Sequence, residues 1–164
     1  MARAKLTLAG VRAYLQQRAP NSGVRYTWCM KAIERTYRRI IRAAKSTKLP
    51  GIEEIAWWGR PSLAVKGKGF MGVKDEDTLV VRCALEEKEV LMEVAPEIYF
   101  ETDHYKGWPA VLVRTPAISD AELAHCIARA WRLMAPKKLL KEVEQAAKKS
   151  APPANNKSRA KKRR

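Results

Sequence analysis

The sequence contains few of the residues that build metal sites and disulfide frameworks. Of its 164 residues, three are Cys and two are His. Cys29, Cys83 and Cys126 are far apart and form no CxxC pair, whereas structural zinc needs four Cys or His ligands that usually come as close pairs. We therefore expect no metal and no other cofactor, and we interpret Cys83 and Cys126 as buried small hydrophobic residues.

Long apolar runs are also missing. No stretch approaches the roughly 18 to 20 consecutive apolar residues that a membrane span requires, and the first residues lack the apolar block of a secretory signal. The sequence therefore predicts a cytoplasmic protein with no stable membrane insertion. Adsorption of a basic helix to an anionic membrane is a weaker alternative, because the basic C-terminal segment lacks bulky apolar residues that would insert.

Common catalytic motifs are absent as well. The chain has no GxSxG or HExxH sequence, which are motifs of hydrolases and zinc proteases. Gly67-Lys68-Gly69 is too short for a P-loop and lacks the following Ser or Thr. Asp103 and His104 could form half of an acid–base pair, but no nucleophile is evident nearby. We therefore predict a protein that is not an enzyme and has no catalytic residue.

Acidic residues are scarce at both ends of the chain. Residues 1–45 hold eleven basic and one acidic residue, residues 46–136 hold eleven and fourteen, and residues 137–164 hold eleven and two. The three blocks carry charges of +10, −3 and +9, which make up the formal net charge of +16. A prediction of nucleic-acid binding from charge therefore concerns the ends of the chain more than its middle.

The charge pattern and the apolar periodicity divide the chain into three parts. Residues 1–29 contain no acid and are interpreted as a poorly ordered basic extension; an organellar presequence, a phosphate-contacting arm and an upstream start before Met30 are the alternatives. Residues 30–140 are expected to form the folded domain. Residues 141–164 form a basic tail that is expected to be largely disordered, although Lys137 to Lys149 could continue as a fraying helix.

Within the domain, the periodicity predicts the element order α-β-β-β-β-α-β-β-α. The first helix begins at Met30, has an apolar stripe that includes Ile33 and Tyr37, and ends before Pro50. The predicted strands and later helices are Ile52–Trp57, Ser62–Lys66, Phe70–Lys74, Thr78–Cys83, the helix 85–95, Ile98–Glu101, Ala110–Thr115 and the helix Ser119–Ala135. In the helix 85–95, Leu85, Leu91 and Val94 are expected to be available for packing. Ser119 and Glu122 are expected to form a capping box at the start of the last helix. Short connections force neighbouring strands to be antiparallel, so the fold class is α+β, a two-layer antiparallel sheet with helices packed on it.

This pattern resembles the MmcQ/YjbR family over about Ile33 to Leu140. The resemblance rests on the segments Leu49-Pro50-Gly51-Ile52-Glu53-Glu54, Gly59-Arg60-Pro61, Lys66-Gly67-Lys68-Gly69-Phe70, Leu79-Val80-Val81-Arg82-Cys83, Tyr99 to Glu101, His104-Tyr105-Lys106-Gly107-Trp108-Pro109, Val111-Leu112-Val113-Arg114, Ala130-Trp131-Arg132-Leu133 and Ala135-Pro136-Lys137. It implies a CyaY-like fold and DNA binding without enzymatic activity. One departure is Ala84, which stands where many relatives have an Asp that could cap the second helix.

Two hypotheses of function follow. The first is binding of DNA, with RNA as an alternative, by a monomer that contacts phosphates with little sequence specificity. The candidate binding residues are Arg35, Arg38, Arg39, Arg42, Arg60, Lys66, Lys68, Lys106, Trp108, Arg114, Lys137, Lys138, Lys161, Lys162, Arg163 and Arg164. The second hypothesis is a regulatory module whose acidic middle binds a protein partner. Tyr105 and Trp108 could stack on bases, or could instead cover the edge of the sheet.

Overall fold

The computed structural model describes residues 23–57 and 60–150, and the side chains of residues 31–57 and 60–146. Within these residues four helices accompany one six-stranded sheet. The helices are α1 (Gly23–Ser46), α2 (Leu85–Val94), α3 (Asp120–Met134) and α4 (Lys137–Ser150). The strands are β1 (Ile52–Trp57), β2 (Arg60–Val65), β3 (Lys68–Val73), β4 (Thr78–Arg82), β5 (Tyr99–Phe100) and β6 (Ala110–Arg114).

The sheet has the strand order β1-β2-β3-β4-β6-β5, and every neighbouring pair is antiparallel. The α+β class and the predicted order of elements are therefore confirmed. The chain forms this meander because short turns join β1 to β4, and such turns cannot support a parallel crossover. A register shift between Leu63 and Ala64 marks an irregularity in the pairing of β2 with β3.

The hydrophobic core lies between one face of the sheet and the helices α1 and α3. Leu63 faces Met71, Met71 faces Val81, and Val81 faces Val111 across the strands, so one apolar row crosses the sheet. Both helices contact β3 and each other. The apolar stripe predicted for α1 is buried: Ile33, Tyr37, Ile40, Ile41 and Ala44 all belong to this core. Because this apolar stripe is buried, the opposite side of α1 faces solvent.

The two ends of the chain differ from the predicted boundaries. Helix α1 begins at Gly23, seven residues before the predicted start at Met30. Helix α4 spans Lys137–Ser150, so the segment that was expected to be a tail begins as helix, in agreement with the alternative that Lys137 to Lys149 continue as a helix. Leu139, Leu140 and Val143 pack against the core, which explains why this helix forms on the domain. Residues 1–22 and 151–164 lie outside the described residues.

Helix α3 begins as predicted but completes only half of the expected capping box. The Ser119 hydroxyl accepts a 3.1 Å hydrogen bond from the backbone N–H of Glu122. The Glu122 carboxylate instead accepts a hydrogen bond of 2.7 Å from the Tyr99 hydroxyl. At the other end of α3, the Trp131 indole N–H donates to the carbonyl of Pro50 at 3.1 Å. The helix is thus tied to the start of β1.

The packing predicted for α2 is confirmed for Leu91 but was wrong for Leu85 and Val94. Leu85 and Val94 are exposed, whereas Lys88 is the buried residue of this helix. The inward stripe is Lys88, Leu91 and Ala95, with Leu91 and Ala95 packed on the core. Ala84 provides no side-chain cap, as its sequence implies. A lysine in the inward stripe requires buried acceptors, and these lie in the loop described next.

Candidate functional site

The first candidate surface is the solvent side of α1, which we call the arginine face. It consists of Lys31, Arg35, Arg38, Arg42 and Lys45, all exposed. Their spacing of three or four residues places them on one side of the helix, and from Lys31 to Lys45 the row extends about 21 Å at 1.5 Å per residue. The described part of α1 contains one acid, Glu34, which accepts hydrogen bonds of 2.5 and 3.1 Å from Arg38.

Arg39 lies on the same helix but is occupied within the protein. Its guanidinium donates to the carbonyls of Thr115 and Ile118, each at 2.6 Å, and to the Asp120 carboxylate at 2.6 Å. These bonds join α1 to the segment that precedes α3. The Arg39 hydrogen bond and charge hold the pKa of Asp120 below its usual 3.8, with a smaller contribution from Arg42. Arg39 is therefore a structural residue, and we leave it out of the arginine face.

The second candidate surface is the loop between β5 and β6, residues 101–109, which we call the platform loop. It contains a short 3-10 turn over Asp103–Tyr105. The His104 and Trp108 rings stack with centroids 6.2 Å apart and planes 22° apart. His104 is exposed and Trp108 has 56% of its surface exposed. Trp108 is thus largely displayed to solvent, whereas Tyr105 is half-buried.

The buried side chain of Lys88 holds the platform loop in place. The Lys88 ammonium, on a residue only 3% exposed, donates to the carbonyls of Tyr105 at 2.6 Å and Trp108 at 3.4 Å. It also forms an ion pair with the Glu101 carboxylate. The three acceptors lie at the start, middle and far end of the loop, so one buried cation fixes its shape.

Backbone contacts fix the same loop further. Tyr105 N–H donates to Thr102 at 2.8 Å, and Trp108 N–H donates to Tyr105 at 3.1 Å. Gly107 has φ of +70°, a conformation that side-chain-bearing residues rarely adopt. The glycine permits the turn that brings Trp108 beside His104.

Three more cations lie near the platform loop at the same end of the sheet. Lys66 and Lys68 flank the turn from β2 to β3 and are exposed. Arg82 ends β4 and pairs in register with Ala110, two residues after Trp108. Because β3 and β6 are separated only by β4, Lys68 lies about 10 Å from the start of β6 at the usual strand spacing. Arg82 was not among the predicted residues, although its place at the end of a strand beside the loop could have suggested it.

Lys106 is exposed at the tip of the platform loop, but its charge is partly balanced. Its ammonium lies 2.8 Å from the Asp103 carboxylate, in a pair whose side chains are 65% and 95% exposed. Such an exposed pair exchanges readily with solvent and contributes little to stability.

The structure does not bring all predicted residues together. Arg60 and Arg114 lie at the opposite end of the sheet from the platform loop. Arg114 donates to the Pro96 carbonyl at 2.8 Å and lies 4.1 Å above the Phe100 ring. Its guanidinium is therefore engaged by neighbouring groups of the protein. Lys137 and Lys138 are exposed at the start of α4. Lys161, Lys162, Arg163 and Arg164 lie outside the described residues.

Reactive groups in the described region are buried or paired. Burial, assisted by the Glu87 carboxylate, raises the pKa of Cys83 to about 11. Burial also raises the pKa of Cys126, whose sulfur lies 3.1 Å from the Tyr99 hydroxyl. Both thiols are free and buried, as expected from the sequence. Among the described residues no group of three or more His, Cys, Asp or Glu side chains is placed to hold a metal ion.

Comparison with known proteins identifies the family. The profile of the YjbR family matches residues 47–133, just over half of the chain. The chain belongs to the YjbR family. The matched region includes the whole sheet, α2, the platform loop and nearly all of α3. The arginine face lies before it.

Similar curated proteins include an uncharacterised protein of Mycobacterium tuberculosis (strain H37Rv) and one of Mycobacterium bovis. Each is 43% identical over 53 residues, which make up 32% of this chain and 41% of the relative. The match therefore spans less than half the length of these relatives. No solved structure matches the chain significantly. In the described part of this YjbR protein, no helix is both long and apolar enough to cross a membrane.

Proposed function

We propose that this YjbR protein binds DNA through its phosphate backbone, with little sequence specificity and without catalysing a reaction. The observation that carries this proposal is the arginine face: five exposed cations in a row of about 21 Å on a helix held rigidly by its buried side. Double-stranded DNA carries one negative charge per roughly 1.7 Å of its axis. A row of this length therefore passes several phosphates.

The distribution of unpaired charge supports the same proposal. Within residues 31–57 and 60–146, no ion pair or hydrogen bond engages the side chains of Lys31, Arg35 or Lys45. Long cations that have no acidic partner are ready to exchange counterions for phosphates. The basic residues at both ends of the chain would add to the attraction without sequence information.

A role without catalysis is supported by the state of the reactive side chains. The Cys83 and Cys126 thiols are buried with raised pKa values, so they carry little thiolate at neutral pH. Asp103 is paired with Lys106, and His104 is stacked on Trp108 rather than held by a carboxylate. The free thiols also suit a cytoplasmic location. We propose a monomer as the binding species, and RNA as an alternative ligand.

Substitutions on two helices test the proposal. Arg35→Gln combined with Arg42→Gln should weaken binding of a 20-base-pair duplex about tenfold or more at 50 mM salt, because two phosphate contacts are lost. Arg132→Gln is the matched control, since Arg132 is an exposed arginine on α3. Fluorescence anisotropy of a labelled duplex measures both. Equal affinity of the double variant and the control would refute the proposal.

A second function is favoured by one observation on α2. Its outer side carries Glu86, Glu89 and Glu93 together with exposed Val90 and Val94, which are 56% and 77% exposed. An acidic surface with apolar residues in its middle suits a basic protein partner better than a nucleic acid. Absence of duplex binding by the full chain at 50 mM salt would favour this protein-interaction module over DNA binding.

A further inference from the structure

The platform loop has features that phosphate binding alone does not require. Contact with phosphates needs flexible cations, yet this loop displays an exposed tryptophan stacked on an exposed histidine. Tryptophan, with its large apolar ring and its polar N–H, is enriched at binding interfaces. We therefore expect a ligand to bind at the stacked His104 and Trp108 rings.

We propose that the platform loop is a stacking site for unpaired bases, so that the ligand includes single-stranded nucleic acid. This inference rests on the proposed function and extends it to the class of ligand. A base can continue the His104–Trp108 stack because every base has a flat π face, which makes such binding tolerant of sequence. The bases of an intact duplex are already stacked on each other and are not available to the loop.

The rigidity of the loop supports this assignment. Lys88 binds the carbonyls of Tyr105 and Trp108 and the Glu101 carboxylate, and Gly107 adopts the turn that sets Trp108 beside His104. A platform that is fixed before binding loses little conformational entropy when a base stacks on it. Lys88 is thus a positioning residue: it is too deeply buried to touch a ligand, and it acts through the carbonyls that it holds.

The charges around the loop favour a nucleic acid over an apolar peptide. Lys68 and Arg82 lie at the same end of the sheet, and within the described residues neither makes an ion pair. Lys106 can leave its exposed pair with Asp103 at little cost. A strand whose base stacks on Trp108 would have its neighbouring phosphates within reach of these cations.

Three probes of equal length test the inference in the full chain: a 15-nucleotide thymidine strand, the same strand with abasic sites in place of every base, and a 15-base-pair duplex. Trp108→Ala should weaken binding of the thymidine strand about tenfold, as expected for the loss of one stacked base. It should leave the affinities for the abasic strand and the duplex unchanged. Trp108→Phe should restore most of the loss, and Val94→Ala, at another exposed apolar residue, should have no effect.

The outcomes separate this inference from the proposed function. Unchanged thymidine-strand affinity in Trp108→Ala, or an equal loss for all three probes, overturns the stacking site while duplex binding by the arginine face still stands. If Arg35→Gln/Arg42→Gln loses duplex binding but still binds the thymidine strand more tightly than the abasic strand, both surfaces are supported. If the wild-type chain binds none of the probes, both proposals are wrong. A urea midpoint within error of wild type shows that Trp108→Ala is folded. If it is not, His104→Ala, which removes the other ring of the stack, carries the test.

Discussion

The ammonium of Lys88 donates a 2.6 Å hydrogen bond to the backbone carbonyl of Tyr105, seventeen residues further along the chain. Lys88 is 3% exposed, so this bond is made away from water. A buried cation is tolerated only when its hydrogen-bonding capacity is met. Here the platform loop meets it, and the stability of α2 and the shape of the loop therefore depend on the same side chain.

Removal of the Lys88 charge should destabilise the protein strongly. Lys88→Met keeps much of the apolar length but leaves the Glu101 carboxylate without its cation, and it removes one of the donors to the carbonyls of Tyr105 and Trp108. Breaking a buried ion pair from one side costs about 3 to 5 kcal/mol, and because Glu101 retains 26% exposure we expect about 2 to 4 kcal/mol. Urea unfolding followed by circular dichroism measures the loss.

Lys106→Met provides the control for this substitution. Its ion pair with Asp103 is almost fully solvated, so its loss should change the free energy of unfolding by less than about 0.5 kcal/mol. If the two variants were equally stable, Lys88 would not hold the loop in the way that its contacts indicate.

Arg35 and Arg39 lie one helical turn apart and should behave in opposite ways. Arg39→Met removes two hydrogen bonds of 2.6 Å to the carbonyls of Thr115 and Ile118. Charge-assisted hydrogen bonds of this kind contribute about 1.5 to 3 kcal/mol, and since Arg39 is 25% exposed we expect a loss near 2 kcal/mol. Arg35→Met should lie within about 0.5 kcal/mol of wild type but should weaken duplex binding. A destabilised Arg35→Met with unchanged duplex affinity would contradict the assignment.

The Arg39–Asp120 ion pair predicts a pH dependence of stability. Because the pKa of Asp120 is lower in the folded protein than its usual 3.8, the ionised carboxylate stabilises the fold above that value. The contribution is lost as the pH falls through the lower folded-state pKa. The difference in urea midpoint between wild type and Asp120→Asn should therefore be present at pH 6 and should decrease as the pH is lowered below 3.8. In an Arg39→Met background the difference at pH 6 should shrink, and an undiminished difference would assign the effect to another partner.

Cys83 and Cys126 should resist alkylation in the folded protein. Each is buried, and burial raises the pKa of both thiols, to about 11 for Cys83. In a Cys29→Ser variant, iodoacetamide at pH 8 should modify no thiol of the native protein and two thiols in 8 M urea, as counted by mass spectrometry. Rapid modification of the native variant would show that one of these cysteines is accessible.

Most of the fold could be predicted from apolar periodicity and turn residues. The stripe of α1, the Ser119 cap of α3 and the short turns between β1 and β4 are local features, and each predicted element is present. The start of α1 and the extent of α4 were harder to predict from the sequence. Helix α4 packs on the core through Leu139 and Leu140, and this is a tertiary contact that no local pattern reveals. Helix α2 was misjudged because Val94 was expected to pack, whereas the inward stripe includes Lys88.

The candidate site was predicted less completely than the fold. Exposure of Arg35 and Arg42 follows from helical spacing, but the same spacing rule could not show that Arg39 is held by carbonyls from a segment about 76 to 79 residues away. The role of Lys88 depends on acceptors in the platform loop, which no local pattern reveals. A lysine within an inward stripe, as in Lys88-x-x-Leu91, is the one signal in the sequence that could have drawn attention to it.

The salt dependence of duplex binding tests the central claim most directly. For the full wild-type chain, the logarithm of the association constant should fall linearly with the logarithm of salt concentration, with a slope of about −3 or steeper, because several phosphates are neutralised. Arg35→Gln/Arg42→Gln should make the slope shallower by about 2, and Arg132→Gln should leave it unchanged. An affinity that is insensitive to salt, or a slope that the double variant does not alter, would contradict phosphate binding by the arginine face.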